Sequence, residues 1–554
     1  MISIGVLGDF IMRIVLFEIR SGIISVKQRS SLGIQWCGSL LRKSGYDDVS
    51  IMLFEGEQEK NIEKVLLSNQ YDVCIIEFRS GIRDLAYRII RRLKEKNKDV
   101  KIVAIGHDIT LHAARFMKEC SNIDIVAYGE AELTVKDICD YISNGKSLTE
   151  CKGIFYRKGS VIFRNEAREL PDNLDYLEPP ALDIAKEQFG YKMQQTVFLA
   201  SRTSRGCLGN CTFCSLNRLT SVTKKKAWRG RKLENVIDEL IEIQNTFEGK
   251  RIVIEFVDNS FEDPYPESKE RIEQFLDLLE KTDLRIAFAI LTRTESWTEK
   301  DIPLIQRMRR AGLYYVAPGV ESSVDIALRK FKKRGTAESN RKIFKLFQEN
   351  DVYVHAYLIM FYPYVTFEEL RKNAEFMKDN NMTSYPFNWY HSMALHPDTE
   401  IFQQASRDGL IIGFDEESCF YKYQFTDGRI AEMFEVIRKM AQEPSVASYM
   451  NLYEVTRFEE ALFNIWKEQY EEMKTVEVVM KEYIEEYHRI LLEVGKILYV
   501  FFDKMYNEFE KRANRNSSEY IEEWNRIIIS GYDKLNILWK KNNVKLLRKG
   551  IKLL

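Results

Sequence analysis

The chain has 554 residues, 45% of them apolar, and a formal net charge of −1. Such a length predicts two to four domains with ordinary buried cores. The balanced charge excludes a global attraction to nucleic acid or to anionic membranes. Six of the nine cysteines stand alone (Cys37, Cys74, Cys120, Cys139, Cys151 and Cys419), which excludes a disulfide framework and suits a reducing compartment. Met1–Asp9 lacks a basic n-region, and Asp9 and Arg13 interrupt the apolar run, so no signal peptide is expected. No uncharged apolar stretch approaches the roughly 18 residues of a transmembrane segment. A cytoplasmic protein is the expectation.

Residues 1–150 alternate short apolar runs with helical patterns. Strands are predicted at Ile14–Phe17, Val49–Phe54, Val73–Ile76, Ile102–Ile105 and Ile123–Ala127, with helices at Ile34–Lys43 and Leu85–Lys96. Continuous apolar strands separated by helices predict an α/β, doubly wound parallel sheet. Such sheets bind ligands beyond the carboxyl ends of their strands. There the chain reads Arg79-Ser80-Gly81, Gly106-His107-Asp108 and Gly129-Glu130. The glycines either admit a flat ligand to the backbone or simply make βα turns. Residues 151–196 read as a hairpin (Gly153–Tyr156, Val161–Phe163) and an extended linker through Pro179 and Pro180.

Residues 197–425 repeat the alternation. Strands are predicted at Val197–Ser201, Arg251–Val257, Ile286–Leu291, Tyr314–Pro318, Tyr353–Met360 and Phe387–Tyr390, with helices between them. The pattern is that of a partial (β/α)6 barrel, whose site lies at the carboxyl ends of the strands. From 426 to 554 the chain reads as a C-terminal α-helical region. Its basic, amphipathic tail, Leu538–Lys552, is a surface helix with a solvated face, or an element for a membrane or an anionic substrate. From their position, these helices are expected to close over the barrel and shape substrate choice.

The decisive stretch is Ser204-Arg205-Gly206-Cys207-Leu208-Gly209-Asn210-Cys211-Thr212-Phe213-Cys214, just after the first barrel strand. Three thiolates spaced C-x3-C-x2-C can ligate three irons of a [4Fe–4S] cube and leave the fourth open. Zinc, with Cys419 or a histidine completing the set, is the alternative. Gly206 and Gly209, which make room for a cube, favour iron.

With an aromatic residue before its third cysteine, this loop resembles the signature of the radical S-adenosylmethionine (SAM) superfamily. The likeness continues through Trp228–Arg231, Glu255–Phe261, Leu291–Thr294 and Gly319–Ser322, so that resemblances cover about residues 12–400. It implies that Cys207, Cys211 and Cys214 hold the cluster, that Phe213 packs on cluster or adenine, and that Val257 and Asp258 stand where the methionine amino group is received. It further implies that Arg293 and Glu321 lie near SAM and that Ile359 belongs to the stretch holding adenine. There the chain departs from the family: Phe361 and Tyr364 replace glycines and Val365 replaces a glutamate. Those rings are expected to reshape the pocket or reach substrate. Tyr357, Trp389 and Tyr390 are pocket residues or core. His355, His391 and His396 are read as structural.

The N-terminal part resembles, more weakly, the Rossmann-like cobalamin (B12)-binding domain of one radical SAM class, through Ser31–Ile34, Leu40–Tyr46 and Asp124–Glu132. This implies cofactor contacts at Gly106, His107, Gly129 and Glu130. The Asp-x-His-x-x-Gly motif is absent, so no histidine from this domain is expected on cobalt. The resemblance implies an enzyme that cleaves SAM to a 5′-deoxyadenosyl radical and modifies an unactivated carbon, most simply by cobalamin-dependent methyl transfer. Rearrangement, cyclisation or oxidation is the enzymatic alternative, and a metal- or cluster-bearing sensor the non-catalytic one. Implied partners are a small-molecule, lipid or peptide substrate and an electron donor such as flavodoxin or ferredoxin, with no nucleic acid.

Overall fold

The computed structural model describes residues 11–20, 32–56, 58–79, 81–190, 195–216, 228–513 and 516–554. Readings that rest on Met1–Asp9, Ser31 and Ser80 lie outside these.

Among the described residues the first sheet has seven strands in the order β2-β1-β3-β4-β5-β6-β7. β1 (Ile14–Arg20), β2 (Val49–Glu55), β3 (Val73–Glu77), β4 (Lys101–Ile105) and β5 (Ile125–Ala127) are parallel. Their Val- and Ile-rich runs are buried on both faces because helices cover both sides, giving two separate apolar cores. The hairpin β6 (Ile154–Lys158) and β7 (Val161–Arg164) extends this same sheet, β6 pairing antiparallel with β5. Glu18, fully buried in β1, is held by Arg20 at 2.7 Å and by Arg79.

The second sheet has five parallel strands ordered β14-β13-β12-β11-β8: β8 (Thr196–Ser201), β11 (Arg251–Phe256), β12 (Ile286–Thr292), β13 (Leu313–Pro318) and β14 (Tyr353–Val354). At Gly312 (φ 113°) a Cβ would sit 2.1 Å from the Ile286 carbonyl oxygen, so only glycine lets the chain enter β13 this close to β12. Beyond the ladder, single parallel bridges Glu321–Leu358 and Phe361–Ser392 continue the barrel. Phe387–Tyr390, expected as a strand, is a short helix. Its Trp389 is fully buried, stacks 4.3 Å from Phe502, and donates from Nε1 to the Thr383 carbonyl at 2.8 Å. Packing against the long helix Glu477–Glu510 thus overrides the strand propensity of this aromatic run.

Two short pairs complete the barrel's surroundings. β9 (Ser204–Gly206) pairs antiparallel with β10 (Trp228–Gly230), and β15 (Ile411–Asp415) with β16 (Phe420–Tyr423). The second hairpin reaches into the N-terminal unit. Gly81 N donates to the Glu417 carbonyl at 2.7 Å, Arg115 lies 3.9 Å from the Phe414 ring, and Cys419 is buried in that unit's core.

The C-terminal helices are Gly428–Ala441, Pro444–Gln469, Glu477–Glu510 and Ser517–Leu547, and the second of them does not lie over the barrel mouth. Pro444–Gln469 crosses its opposite end, where strands begin. Trp466 lies under Arg251 (4.8 Å), Gln469 Nε2 donates to the Ile286 carbonyl (3.0 Å), and Arg457 is boxed by Tyr315 and Tyr353 (5.5 and 5.2 Å). The tail leaves Lys540 and Lys541 exposed but buries Ile551 and Leu553, and Thr196 Oγ1 donates to the Leu553 carbonyl at 2.8 Å. No helix of the described residues is long and apolar enough to cross a membrane.

Candidate cluster and cofactor site

Cys207, Cys211 and Cys214 are half-buried on the loop leaving β8 and β9, whereas the other six cysteines are buried. A Cβ on Gly209 would lie 3.3 Å from Cys207 Sγ and 3.9 Å from Cys211 Sγ, so this glycine keeps the space between two sulfurs open. Burial pushes the Cys207 and Cys211 thiols up to about 11. Such thiols carry little charge alone and need a cationic partner to ionise. Cys419, buried elsewhere and pushed up to about 11 by burial, is no fourth ligand.

The loop is braced from several directions. Asp258, fully buried, accepts from Thr203 N (2.9 Å), Thr203 Oγ1 (2.7 Å) and Ser204 Oγ (2.6 Å). Its carboxylate is therefore engaged with the loop. Asn259 Oδ1 takes Gly206 N at 3.3 Å, and Asp263 Oδ2 takes Leu208 N at 2.9 Å. Thr212 N and Oγ1 donate to the carbonyls of Phe331 and Lys330, both at 3.0 Å. Phe213 packs edge-on to Phe331 (5.4 Å), anchoring the loop between its second and third cysteines.

Beside the thiols lies a polar wall at the strand ends. Arg293 donates from Nη2 to Asp263 Oδ1 at 2.7 Å and from its backbone to Glu262 Oε1 at 2.9 Å. Burial weighs against its charge, but Asp263 and Glu262 outweigh burial and raise its pKa. Arg293 Nη1, Thr294 Oγ1 and Glu295 Oε2 are buried and have no hydrogen-bond partner among the described residues. Such orphans fit a polar ligand that would satisfy them. Glu321 has φ 62°, a left-handed backbone that glutamate rarely adopts; Tyr357 O accepts from its N–H (3.1 Å) and its carbonyl accepts from Ile359 N (2.7 Å). A Cβ on Gly319 would lie 3.0 Å from Lys333 Nζ and 3.3 Å from Glu321 Oε1, so these side chains converge over Gly319. Burial lowers the Lys333 pKa, but Glu321 and Cys211 more than offset it and raise it overall.

Lys333, Glu295 and Thr294 were not identified from sequence; the basic run Lys332–Arg334 just after a helix was the available signal. Ile359 is buried in the ladder beside Glu321. Phe361 turns away from this wall and packs 4.7 Å from Phe434, while the Tyr364 hydroxyl donates to Asp408 Oδ2 at 2.6 Å. The bulky replacements thus fill the contact with later segments. Tyr357 is 37% exposed, and the Tyr390 hydroxyl contacts Met450 Sδ at 3.0 Å.

The N-terminal sheet meets the loop directly. Gly106 (φ 124°) lets helix His107–Glu119 start hard against β3, because a Cβ there would lie 2.7 Å from the Phe78 carbonyl oxygen. His107 Nε2 is 3.1 Å from Ser215 Oγ, one residue after Cys214, and its ring is 5.9 Å from His396. Burial lowers the pKa of His107 and takes that of His396 down to about 4. Gly129 N donates to Thr110 Oγ1 at 3.2 Å. Glu130 joins Arg205 (2.9 Å), Arg229 and the Tyr176 hydroxyl (3.2 Å), a joint between the sheets. Val257 packs on the neighbouring cluster of Leu32, Trp36 and Leu177.

Residues 201–377 match the model of the Radical SAM superfamily, and the chain carries a radical SAM domain. An uncharacterized methyltransferase of Pyrococcus horikoshii is 27% identical over 383 residues, 69% of this chain and 79% of that protein. An anaerobic magnesium-protoporphyrin IX monomethyl ester cyclase of Rubrivivax gelatinosus is 23% identical over 393 residues, 69% of this chain and 67% of that protein. The cobalamin-dependent SAM radical enzyme OxsB, solved with aqua-cobalamin and SAM, superposes with a TM-score of 0.66 at 19% identity, covering 98% of this chain and 82% of that one. This last likeness is one of fold.

Proposed function

We propose that this radical SAM enzyme transfers a methyl group to an unactivated carbon with the help of cobalamin. One observation carries the reading: the ligand-binding edge of the N-terminal sheet touches the cysteine loop, through His107 and Ser215 at 3.1 Å. A corrin held beyond β3–β5 would lie beside the SAM wall, where a carrier must be to serve a radical made there. Cys207, Cys211 and Cys214 would hold a [4Fe–4S] cluster, and Arg293, Thr294, Glu295, Glu321 and Lys333 would receive the polar end of SAM. The half-buried thiols, the space at Gly209 and the orphaned polar atoms support this fit.

When bound, a reduced cluster supplies an electron for cleaving the C–S bond of SAM, and cobalamin supplies a methyl carrier. The chain's own part is positional. Asp258, Asn259 and Asp263 fix the loop, Lys333 and Glu321 present paired charges beside Cys211, and the buried wall excludes water. The substrate would enter between the sheet edge and the strand ends near Tyr357. Protein purified from cells fed cobalamin should carry it, and incubation with SAM and reductant should yield both S-adenosylhomocysteine and 5′-deoxyadenosine. The cyclase relative favours a second reading, ring formation without methyl transfer; 5′-deoxyadenosine alone would support it.

A further inference from the structure

β14 ends the five-stranded sheet, and the segment expected to pair with it is helical. A cavity of about 740 Å³ lies along this free edge, walled by the consecutive residues Val352–Ala356, by residues 380–388 and by the helices Pro444–Gln469 and Glu477–Glu510. It includes none of the cysteine loop, Arg293, Glu321 or Lys333, so it is separate from the cluster site.

Three observations define what fits it. His355 N donates to the Val316 carbonyl at 3.0 Å, toward β13. Alternation along a parallel strand then points the N–H and C=O of Val354 and Ala356 the other way, into the cavity. Asn388, 2% exposed, lies in the wall; its Nδ2 donates to the Met382 carbonyl at 3.0 Å, while its Oδ1 is buried and has no hydrogen-bond partner among the described residues. That oxygen and the strand edge both call for amide partners. The remaining lining mixes tyrosine and aliphatic side chains with polar ones, Gln348, Asp351, Asn380, Asn381, Thr383 and Asn464, and Lys378 and Lys496 are exposed at the rim, Lys378 Nζ lying 4.7 Å from the Tyr499 ring. Glu460, also in the lining, is engaged by His488 at 2.8 Å.

We propose that this cavity binds a short extended peptide, which adds to the edge of β14 and sets its C-terminal carboxylate against Lys378 and Lys496. β14 itself is two residues, but the lining stretch Val352–Ala356 is long enough to lie beside roughly four or five peptide residues at about 3.3 Å each. The proposal is independent of the reaction at the cluster.

The test is equilibrium dialysis of the full chain against a pool of N-acetylated tetrapeptides with free carboxylates, with retained peptides identified by mass spectrometry. A subset should be retained. The same peptides as C-terminal amides, or tested on Asn388→Leu, should bind about tenfold more weakly. Ala356→Pro, which removes the edge donor, should abolish retention. Because proline also constrains the strand, hydrogen exchange on the wild type supplies a second measurement, in which bound peptide should slow the amides of Val354 and Ala356. A pool from which nothing is retained at millimolar concentration overturns the proposal. So does retention that Asn388→Leu leaves unchanged, or binding that leaves both amides unprotected.

Discussion

The substitution Asp258→Asn separates two roles for one carboxylate. Asp258 accepts three hydrogen bonds from Thr203 and Ser204, at 2.9, 2.7 and 2.6 Å, just ahead of Cys207. Asparagine has one acceptor oxygen and an NH2 group in place of the other. At least one donor then loses its acceptor and faces another donor. A hydrogen bond to a charged group contributes about 1.5–3 kcal/mol, and a buried donor left unmade costs about 1–3 kcal/mol. The braced loop conformation should therefore lose about 3–5 kcal/mol on the same reckoning. After anaerobic reconstitution the variant should hold less than half the wild-type iron and sulfide per chain. The cluster-loaded fraction should keep its KM for SAM, followed by 5′-deoxyadenosine formation. Full iron with a KM raised tenfold would refute the bracing role and return Asp258 to the methionine amino group.

Lys333→Met should keep the iron content but slow SAM cleavage at least tenfold, because the cation over Gly319 is lost; a wild-type rate of 5′-deoxyadenosine formation would contradict this. Phe361→Ala should destabilise the protein by about 3–5 kcal/mol, seen as a lower urea midpoint, with the KM for SAM unchanged. Glu459 is buried, and burial raises its carboxyl to about 7, against which Trp539 Nε1 (3.1 Å) and the Tyr483 hydroxyl (3.0 Å) act only in part. The folded chain therefore keeps this proton after the unfolded chain has lost it, and the resulting stability, full below the unfolded value, is lost as pH rises toward 7. Glu459→Gln should be more stable than wild type at pH 8 and lose that advantage by pH 5; equal differences at both would refute the assignment.

The cysteine loop and the apolar strands were legible because each is written in contiguous residues. Cys207–Cys214 needs only its own spacing, and β1, β3 and β4 carry the contiguous apolar runs Ile14–Phe17, Val73–Ile76 and Ile102–Ile105. What escaped was set by distant partners. The bracing contacts of Asp258 could not be read, because its partners, Thr203 and Ser204, lie 55 and 54 positions away. The ion pairs of Glu130 with Arg205 and Arg229 join residues 75 and 99 positions apart. Phe387–Tyr390 carries strand-forming rings, yet Phe502, far along the chain, captures Trp389 and fixes a helix. The hairpin β15–β16 was not anticipated, since its strands are short and half-exposed and its anchors, Gly81 in the turn after β3 and Arg115 on the helix His107–Glu119, belong to the N-terminal unit. Helix Pro444–Gln469 was legible as a helix, but not its place beneath the barrel.

The most direct test of the central claim is product analysis of cobalamin-loaded, cluster-reconstituted protein incubated anaerobically with SAM and a low-potential reductant. The account predicts S-adenosylhomocysteine and 5′-deoxyadenosine together, with both lost in Cys211→Ala. Protein that carries four irons but no cobalamin, and forms 5′-deoxyadenosine without S-adenosylhomocysteine, would contradict it.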